Sequence, residues 1–142
     1  MVRITRMLAV GAIAAPLLAA CATIMPPSEQ PVSVTGNITY RERIALPPTA
    51  QVEIQLSDVS LMDAPSKTIA QQSFTADGRQ VPFAFSLTVD ERKIDPRGRY
   101  SVSARITDAS GKLMFITDTH NGVTFDGRPR IDMGTLVMVR TR

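Results

Sequence analysis

The stretch VPFAFSLTV (81–89) carries the clearest structural signal in this chain of 142 residues. Its apolar residues occupy every second position, from Val81 through Phe83 and onward to Val89. Because successive side chains of a strand point to opposite faces, this period predicts a β-strand with one face in a core. Pro82 has no backbone N–H, which places this strand at a sheet edge or Pro82 at its beginning.

The same two-residue period recurs on both sides of this stretch. It predicts further strands over 32–40, 52–57, 68–75, 100–107, 113–119 and 131–139. Turn-forming residues separate them at Asp77-Gly78, Asp108 to Lys112, Asn121-Gly122 and Asp126-Gly127. Within the first predicted strand, Gly36 indicates a bulge or a close backbone contact.

These strands predict an all-β domain over residues 32–142. About seven strands separated by turns, with no amphipathic helix between them, are typical of an antiparallel β-sandwich. A small β-barrel is the alternative. A domain of this length can bury a core without disulfides, and the sequence contains a single Cys.

Residues 1–20 predict a secretory signal peptide of the lipoprotein type. Arg3 and Arg6 precede an apolar stretch, 7–20, which is shorter than the about 20 residues that a membrane-spanning helix needs. The segment Leu18-Ala19-Ala20-Cys21 resembles the bacterial lipobox, in which the Cys is lipidated and becomes the mature N terminus. Since Cys21 is the only Cys, its position favours lipid attachment over an incidental free thiol.

Residues 21–31, CATIMPPSEQP, predict the lipidated Cys followed by a proline-rich tether. Prolines favour extended chain, and at about 3.1 Å per residue this tether reaches roughly 30 Å from a bilayer. Three acyl chains would make the anchor stable. In enteric lipoproteins an Asp after the Cys retains the protein in the inner membrane, whereas this chain has Ala22. We therefore expect the periplasmic face of a Gram-negative outer membrane.

Charge and composition argue against nucleic acid, metal and cofactor binding. The chain has 16 basic and 13 acidic side chains, and loss of Arg3 and Arg6 with the signal peptide brings the net charge to +1. Such a neutral domain lacks the basic surface that polyanions require. One His and one Cys exclude a multi-histidine metal site and a CxxC site.

Candidate catalytic residues are few. Asp118 and His120 could form an oriented general base, or they are solvated residues at a strand end. Asp90, Glu91 and Asp95 share a loop with basic side chains, a pattern typical of a self-neutralising surface. The sequence contains no G-x-S-x-G elbow and no glycine-rich loop leading into a helix. We therefore predict a non-enzymatic protein with no catalytic residue.

Two surface features allow two interpretations each. A basic end would protect a strand edge or contact anionic lipid; it comprises Arg128, Arg130, Arg140 and Arg142. The methionines would fill the core or form an adaptable binding surface; they include Met62, Met114, Met133 and Met138.

Three segments resemble the YbaY-like lipoprotein family, which is related to the YscW-type pilotins of type III secretion. They are VTGNITYRERIALPPTAQVEIQLSDVS (34–60), GRQVPFAFSLTVD (78–90) and DPRGRYSVSARITDASGKLMFITDT (95–119). The resemblance implies an outer-membrane lipoprotein with a β-sandwich domain. Pilotins of this type bind a secretin subunit and help it assemble in the outer membrane. Only Cys21 transfers residue by residue, because these segments mark the fold rather than a binding surface.

The expected function is therefore that of a non-catalytic lipoprotein that binds an envelope protein, as a pilotin-like chaperone does. A sheet edge or an apolar groove could take a peptide of that partner. The alternative is a module that binds an envelope small molecule or glycan, which a ligand-sized cavity would support. An enzyme built on Asp118 and His120 is the third hypothesis.

Overall fold

The computed structural model describes residues 31–142, and these contain eight β-strands. The strands are β1 (Val32–Tyr40), β2 (Gln51–Asp58), β3 (Lys67–Thr75), β4 (Phe83–Val89), β5 (Tyr100–Thr107), β6 (Leu113–Ile116), β7 (Gly122–Val123) and β8 (Arg130–Arg140). A single turn of 3-10 helix, Glu91–Lys93, lies between β4 and β5. No helix in the described range is long and apolar enough to cross a membrane. The predicted signal peptide, Cys21 and most of the predicted tether fall outside the described residues.

The strands form one curved sheet in the order β3-β2-β5-β6-β8-β1-β4, and β7 pairs with the first residues of β5. Strand β8 joins two layers of this sheet, one made of β3, β2, β5 and β6 and the other of β1 and β4, because most of β8 pairs with β1 while its last residues pair with β6. The all-β prediction is confirmed. The sheet curls until its two end strands, β3 and β4, approach each other, so the domain is nearly a closed barrel.

Three local predictions need correction. Strands β1 and β8 run parallel, whereas we expected antiparallel pairing throughout; they come from opposite ends of the chain, so no hairpin dictates their direction. Strand β6 ends at Ile116, earlier than predicted. The Asn121-Gly122 pair is not a turn, because Gly122 lies in β7 and pairs with Ser101 of β5.

Alternating side chains of the strands fill the interior. In β4 every second residue is buried, from Phe83 to Val89, as its sequence period predicts. Strands β1, β2 and β5 contribute the same pattern from the other sides. The aromatic rings of Tyr40 and Phe115 stack within this core, with centroids 4.0 Å apart and planes inclined by 7°. Side chains from both layers therefore pack together in one core.

The two ends of the barrel carry different loops. The end that we call the N-terminal pole holds Val32 and the loop after β4, since Val32 pairs with Val89. The loop between β2 and β3 lies there too, because the backbone N–H of Val59 donates to the carbonyl of Arg99. The end that we call the opposite pole holds the β1–β2, β3–β4 and β5–β6 loops. The first described residues, which lead into β1, therefore lie at the N-terminal pole.

Gly36 lies where β1 passes a bulge in β8. The pairing continues from Thr35–Asp132 to Asn37–Thr135, so two residues of β8 face Gly36 alone. One of them, Gly134, has a φ of +67°, a conformation that favours glycine. The predicted bulge or close contact at Gly36 is thus confirmed on both counts.

Gly36→Ala should destabilise the domain, because its new Cβ would lie 2.8 Å from the Gly134 carbonyl oxygen and 2.9 Å from the Phe85 ring. A backbone oxygen in a paired strand cannot move aside cheaply, and overpacking of this kind costs about 1–3 kcal/mol. Urea unfolding measures the effect. Asn37→Ala, at the exposed next position of β1, is the control and should change the free energy of unfolding by less than about 0.5 kcal/mol. Equal stability of the two variants would contradict the close-contact account.

Candidate functional site

The β3–β4 seam, the gap between the two end strands of the sheet, is the candidate binding site. Strand β3 pairs only with β2, and β4 only with β1, within the described sheet. The two strands run side by side in opposite directions across the seam, since Phe74 lies beside Phe83 and Gln72 beside Ser86. Each strand thus presents an edge of backbone groups that the sheet does not use.

The side chain of Gln72 bridges the seam in place of a backbone ladder. Its Oε1 accepts a hydrogen bond from the backbone N–H of Ser86 at 3.0 Å. Residues two apart in an antiparallel strand turn their N–H groups the same way. The N–H groups of Ala84 and Thr88 therefore also point toward the seam, and both residues are exposed.

At the opposite pole the seam widens into a recess of about 570 Å³. Phe74 and Phe83 are among its lining residues, and the half-buried Phe74 ring meets the buried Phe83 ring edge to face, with centroids 5.5 Å apart. The guanidinium of Arg79 lies 5.2 Å from the centre of the Phe74 ring, which is within the range of a cation–π contact. The recess thus combines an aromatic floor with a cationic rim.

Hydrogen bonds hold the β3–β4 loop that forms one wall of this recess. The Gln80 side chain accepts from the Leu46 N–H at 2.8 Å and donates to the Leu46 carbonyl at 3.2 Å. The Arg79 guanidinium donates to the carbonyls of Ala76 and Thr75, each at 3.3 Å. The recess is therefore a built feature that the β1–β2 loop supports.

Asp118 and His120 lie exposed in the connection between β6 and β7. The Asp118 carboxylate accepts from the Thr119 hydroxyl at 3.1 Å, and His120 packs over Gly122. These contacts agree with the interpretation of both residues as solvated residues after a strand. Among residues 31–142, no group of three or more His, Cys, Asp or Glu side chains is arranged to hold a metal ion.

Two of the three acidic residues of the loop after β4, Asp90 and Asp95, lie beside basic neighbours, as predicted. Arg92 forms an ion pair with Asp90 at 2.9 Å, and its hydrogen bond holds the pKa of the Asp90 carboxyl below its ordinary value. Arg97 lies 3.9 Å from Asp95. The loop is therefore electrostatically neutralised rather than arranged around a cleft.

The predicted basic end is not one surface. Arg130 begins β8 at the N-terminal pole and Arg140 ends it at the opposite pole, about 33 Å away at about 3.3 Å per residue. Arg128 pairs with Asp126 at 2.7 Å, and this hydrogen bond lowers the pKa of Asp126. Because β8 runs from one pole of the barrel to the other, Arg128 and Arg130 lie near its beginning, whereas Arg140 and Arg142 lie near its end.

The four methionines are also dispersed over the fold. Met138 is fully buried in the core, while Met114 and Met133 are half-buried against it. Met62 is 89% exposed at the tip of the β2–β3 loop. The core-filling interpretation therefore holds for Met114, Met133 and Met138, whereas Met62 does not fill the core.

An open sheet edge beside an aromatic recess is the kind of surface on which β-domains bind extended peptides. A family model for type III secretion system lipoprotein chaperones (YscW) matches residues 29–134. The chain belongs to this family. The family role is that of a chaperone, which is not an enzymatic one.

Two relatives agree with this assignment. The uncharacterized lipoprotein YbaY of Escherichia coli strain K12 is 43% identical over 119 residues, which cover 84% of this chain and 61% of YbaY. The chain therefore spans about three-fifths of the length of that relative. The solved structure of an alternative pilotin from the type II secretion system of Vibrio cholerae is 51% identical, with a TM-score of 0.67, and the match covers 78% of this chain and 99% of that one. The resemblance to YbaY-like proteins and YscW pilotins is thus confirmed.

Proposed function

We propose that this chain is a lipid-anchored, pilotin-like chaperone that binds a segment of a secretin-like protein in the Gram-negative outer membrane. Membership of a lipoprotein chaperone family and similarity to a type II secretion pilotin support the role. The lipobox supports Cys21 as the site of lipid attachment, and the residue after it, Ala22, supports the outer membrane as the destination. The tether then holds the domain on the periplasmic face.

The free edge of β4 supplies the binding mode. An extended segment of the partner pairs with this edge by strand addition, and the N–H groups of Ala84, Ser86 and Thr88 donate to it. The incoming backbone displaces Gln72, whose side chain now occupies the Ser86 N–H. This bridge is the observation that carries the proposal, because a glutamine carbonyl stands where a strand carbonyl would bind.

The recess at the end of the seam selects the side chains of the partner. An apolar or aromatic side chain of the bound segment would cover the half-buried Phe74 ring, which packs edge to face against Phe83. A neighbouring acidic side chain would pair with Arg79 at the rim. The preferred segment is therefore extended, with an apolar residue next to an acidic one.

Ala84→Pro tests this mode, because proline removes the N–H that points into the seam while the pairing of β4 with β1 uses the other side of the strand. We expect recovery of the secretin with the lipidated protein from detergent-solubilised outer membranes to fall about tenfold, equivalent to about 1.4 kcal/mol. Ala84→Ser is the matched control, since it changes the same side chain and keeps the N–H. Quantitative mass spectrometry of the co-purified proteins gives the ratio.

A second variant has the opposite expected sign. Gln72→Ala frees the Ser86 N–H, and loss of a competing hydrogen bond worth about 1 kcal/mol should strengthen secretin binding about fivefold. A photo-cross-linker at Ser73 of β3 should reach the secretin, and one at the exposed Arg105 of β5 should not. Equal cross-linking from both positions, or unchanged binding by Ala84→Pro, would rule out the seam.

A further inference from the structure

The tip of the β2–β3 loop exposes two large apolar side chains. Leu61 is 72% exposed and Met62 is 89% exposed, whereas the other exposed large apolar residues of the described chain, Ile44, Val137 and Val139, are each at 36%. Large apolar side chains that are exposed next to each other mark a candidate interaction surface. The place of this loop in the fold then indicates what the surface contacts.

Hydrogen bonds fix the base of this loop. The Val59 N–H donates to the Arg99 carbonyl at 2.8 Å, and the Arg99 N–H donates to the Ser60 hydroxyl oxygen at 2.8 Å. The Ser60 backbone N–H donates to the Asp58 carboxylate at 2.9 Å. The exposure of Leu61 and Met62 therefore belongs to a supported loop rather than to a frayed end.

The tip lies at the N-terminal pole, where the chain arrives from Cys21. Strand β1 begins at Val32 beside the end of β4, and the loop after β4 contacts the base of the β2–β3 loop through Arg99. Ten residues separate Cys21 from Val32. Ten residues reach at most roughly 30 Å at about 3.1 Å per residue, so the pole stays within that distance of the proposed lipid anchor.

We propose that Leu61 and Met62 insert into the interfacial region of the bilayer that holds the lipid anchor. Two side chains would bind a membrane weakly from solution, but a short tether makes their insertion intramolecular and raises the effective concentration of lipid. Asp63 follows directly and places its side chain at headgroup level, while Lys67 at the start of β3 attracts anionic lipid. The insertion turns the recess of the β3–β4 seam away from the membrane. This inference rests on the lipid anchor of the proposed function.

Met62→Trp provides the test, because the chain has no other Trp. The mature lipidated protein is reconstituted into vesicles of phosphatidylethanolamine and phosphatidylglycerol, with and without brominated acyl chains. The control is Ile44→Trp at the opposite pole, where the side chain lies outside the bilayer in the proposed orientation. Bromine quenching should remove most of the Met62→Trp fluorescence and leave that of Ile44→Trp unchanged.

Flotation of the same vesicles separates this inference from the proposed anchor. Protein that floats with the vesicles and shows equally weak quenching in both variants keeps the anchor and overturns the insertion. Protein that does not float overturns both the anchor and the insertion. Leu61→Ser combined with Met62→Trp should reduce the quenching, which separates insertion of the whole tip from attraction of the new Trp to lipid.

Discussion

The Cys21→Ser variant is expected to lose membrane attachment almost completely while its β-domain remains folded. The expected anchor has three acyl chains, and each buried methylene contributes about 0.8 kcal/mol, so the lipidated form does not dissociate measurably. A serine cannot supply the sulfur that accepts the diacylglyceryl group. The variant should therefore appear as an uncleaved precursor or in the soluble periplasmic fraction. Membrane fractionation after a carbonate wash, with the mass of the N-terminal peptide, measures both outcomes.

The composition of the chain makes this experiment unambiguous. Because Cys21 is the only Cys, incorporation of labelled palmitate cannot come from another thiol. Ser28→Ala, a change within the tether, is the control and should remain membrane-bound. Processing and membrane attachment of Cys21→Ser like those of the wild type would contradict the lipobox interpretation.

Local patterns in the sequence predict the strands because each strand has one buried face. The period of two in 81–89 and 100–107 corresponds to β4 and β5, whose buried residues alternate as expected. Gly36 also carries a local signal, since a glycine inside a strand indicates a bulge or a close contact. These predictions needed no knowledge of which strands are neighbours.

The candidate site depends on neighbours that are distant in the chain, and this is why the sequence did not indicate it. The Gln72 bridge to Ser86 exists because β3 and β4 are the two ends of a curled sheet. Glutamine within a strand is otherwise an ordinary surface residue, so no local pattern distinguishes Gln72 from Gln71. The parallel pairing of β1 and β8 follows from the same long-range arrangement.

Phe115 shows how strongly the short strand β6 depends on the core. Strand β6 has four residues, and Phe115 lies between Ile106 of β5 and Arg140 of β8 in the sheet. Its side chain is 1% exposed and stacks on Tyr40, whose hydroxyl donates to the Ile44 carbonyl at 2.6 Å. Burial, with a smaller effect of the Glu42 charge, raises the pKa of Tyr40. Phe115 thus links β6 to β5 and β8 through strand pairing, and to β1 through the stacked ring of Tyr40.

Phe115→Ala is therefore expected to lower the free energy of unfolding by about 3–5 kcal/mol, through lost burial and a cavity beside the Tyr40 ring. For a domain whose total stability is of the order of 5–15 kcal/mol, such a loss removes much of the margin. Urea unfolding measures the change. The near-ultraviolet circular dichroism should fall as well, because Tyr40, one of two Tyr in a chain without Trp, loses the ring that stacks on it.

Two further variants make the Phe115 result decisive. Val137→Ala removes apolar atoms from an outer position of β8 that is 36% exposed, so it should cost less than about 1 kcal/mol. Phe115→Leu keeps most of the buried volume but not the stacking, and should lie between the other two. If Phe115→Ala proves no more destabilising than Val137→Ala, then β6 is held by its backbone pairing, and the stacked pair is not the link between the two layers.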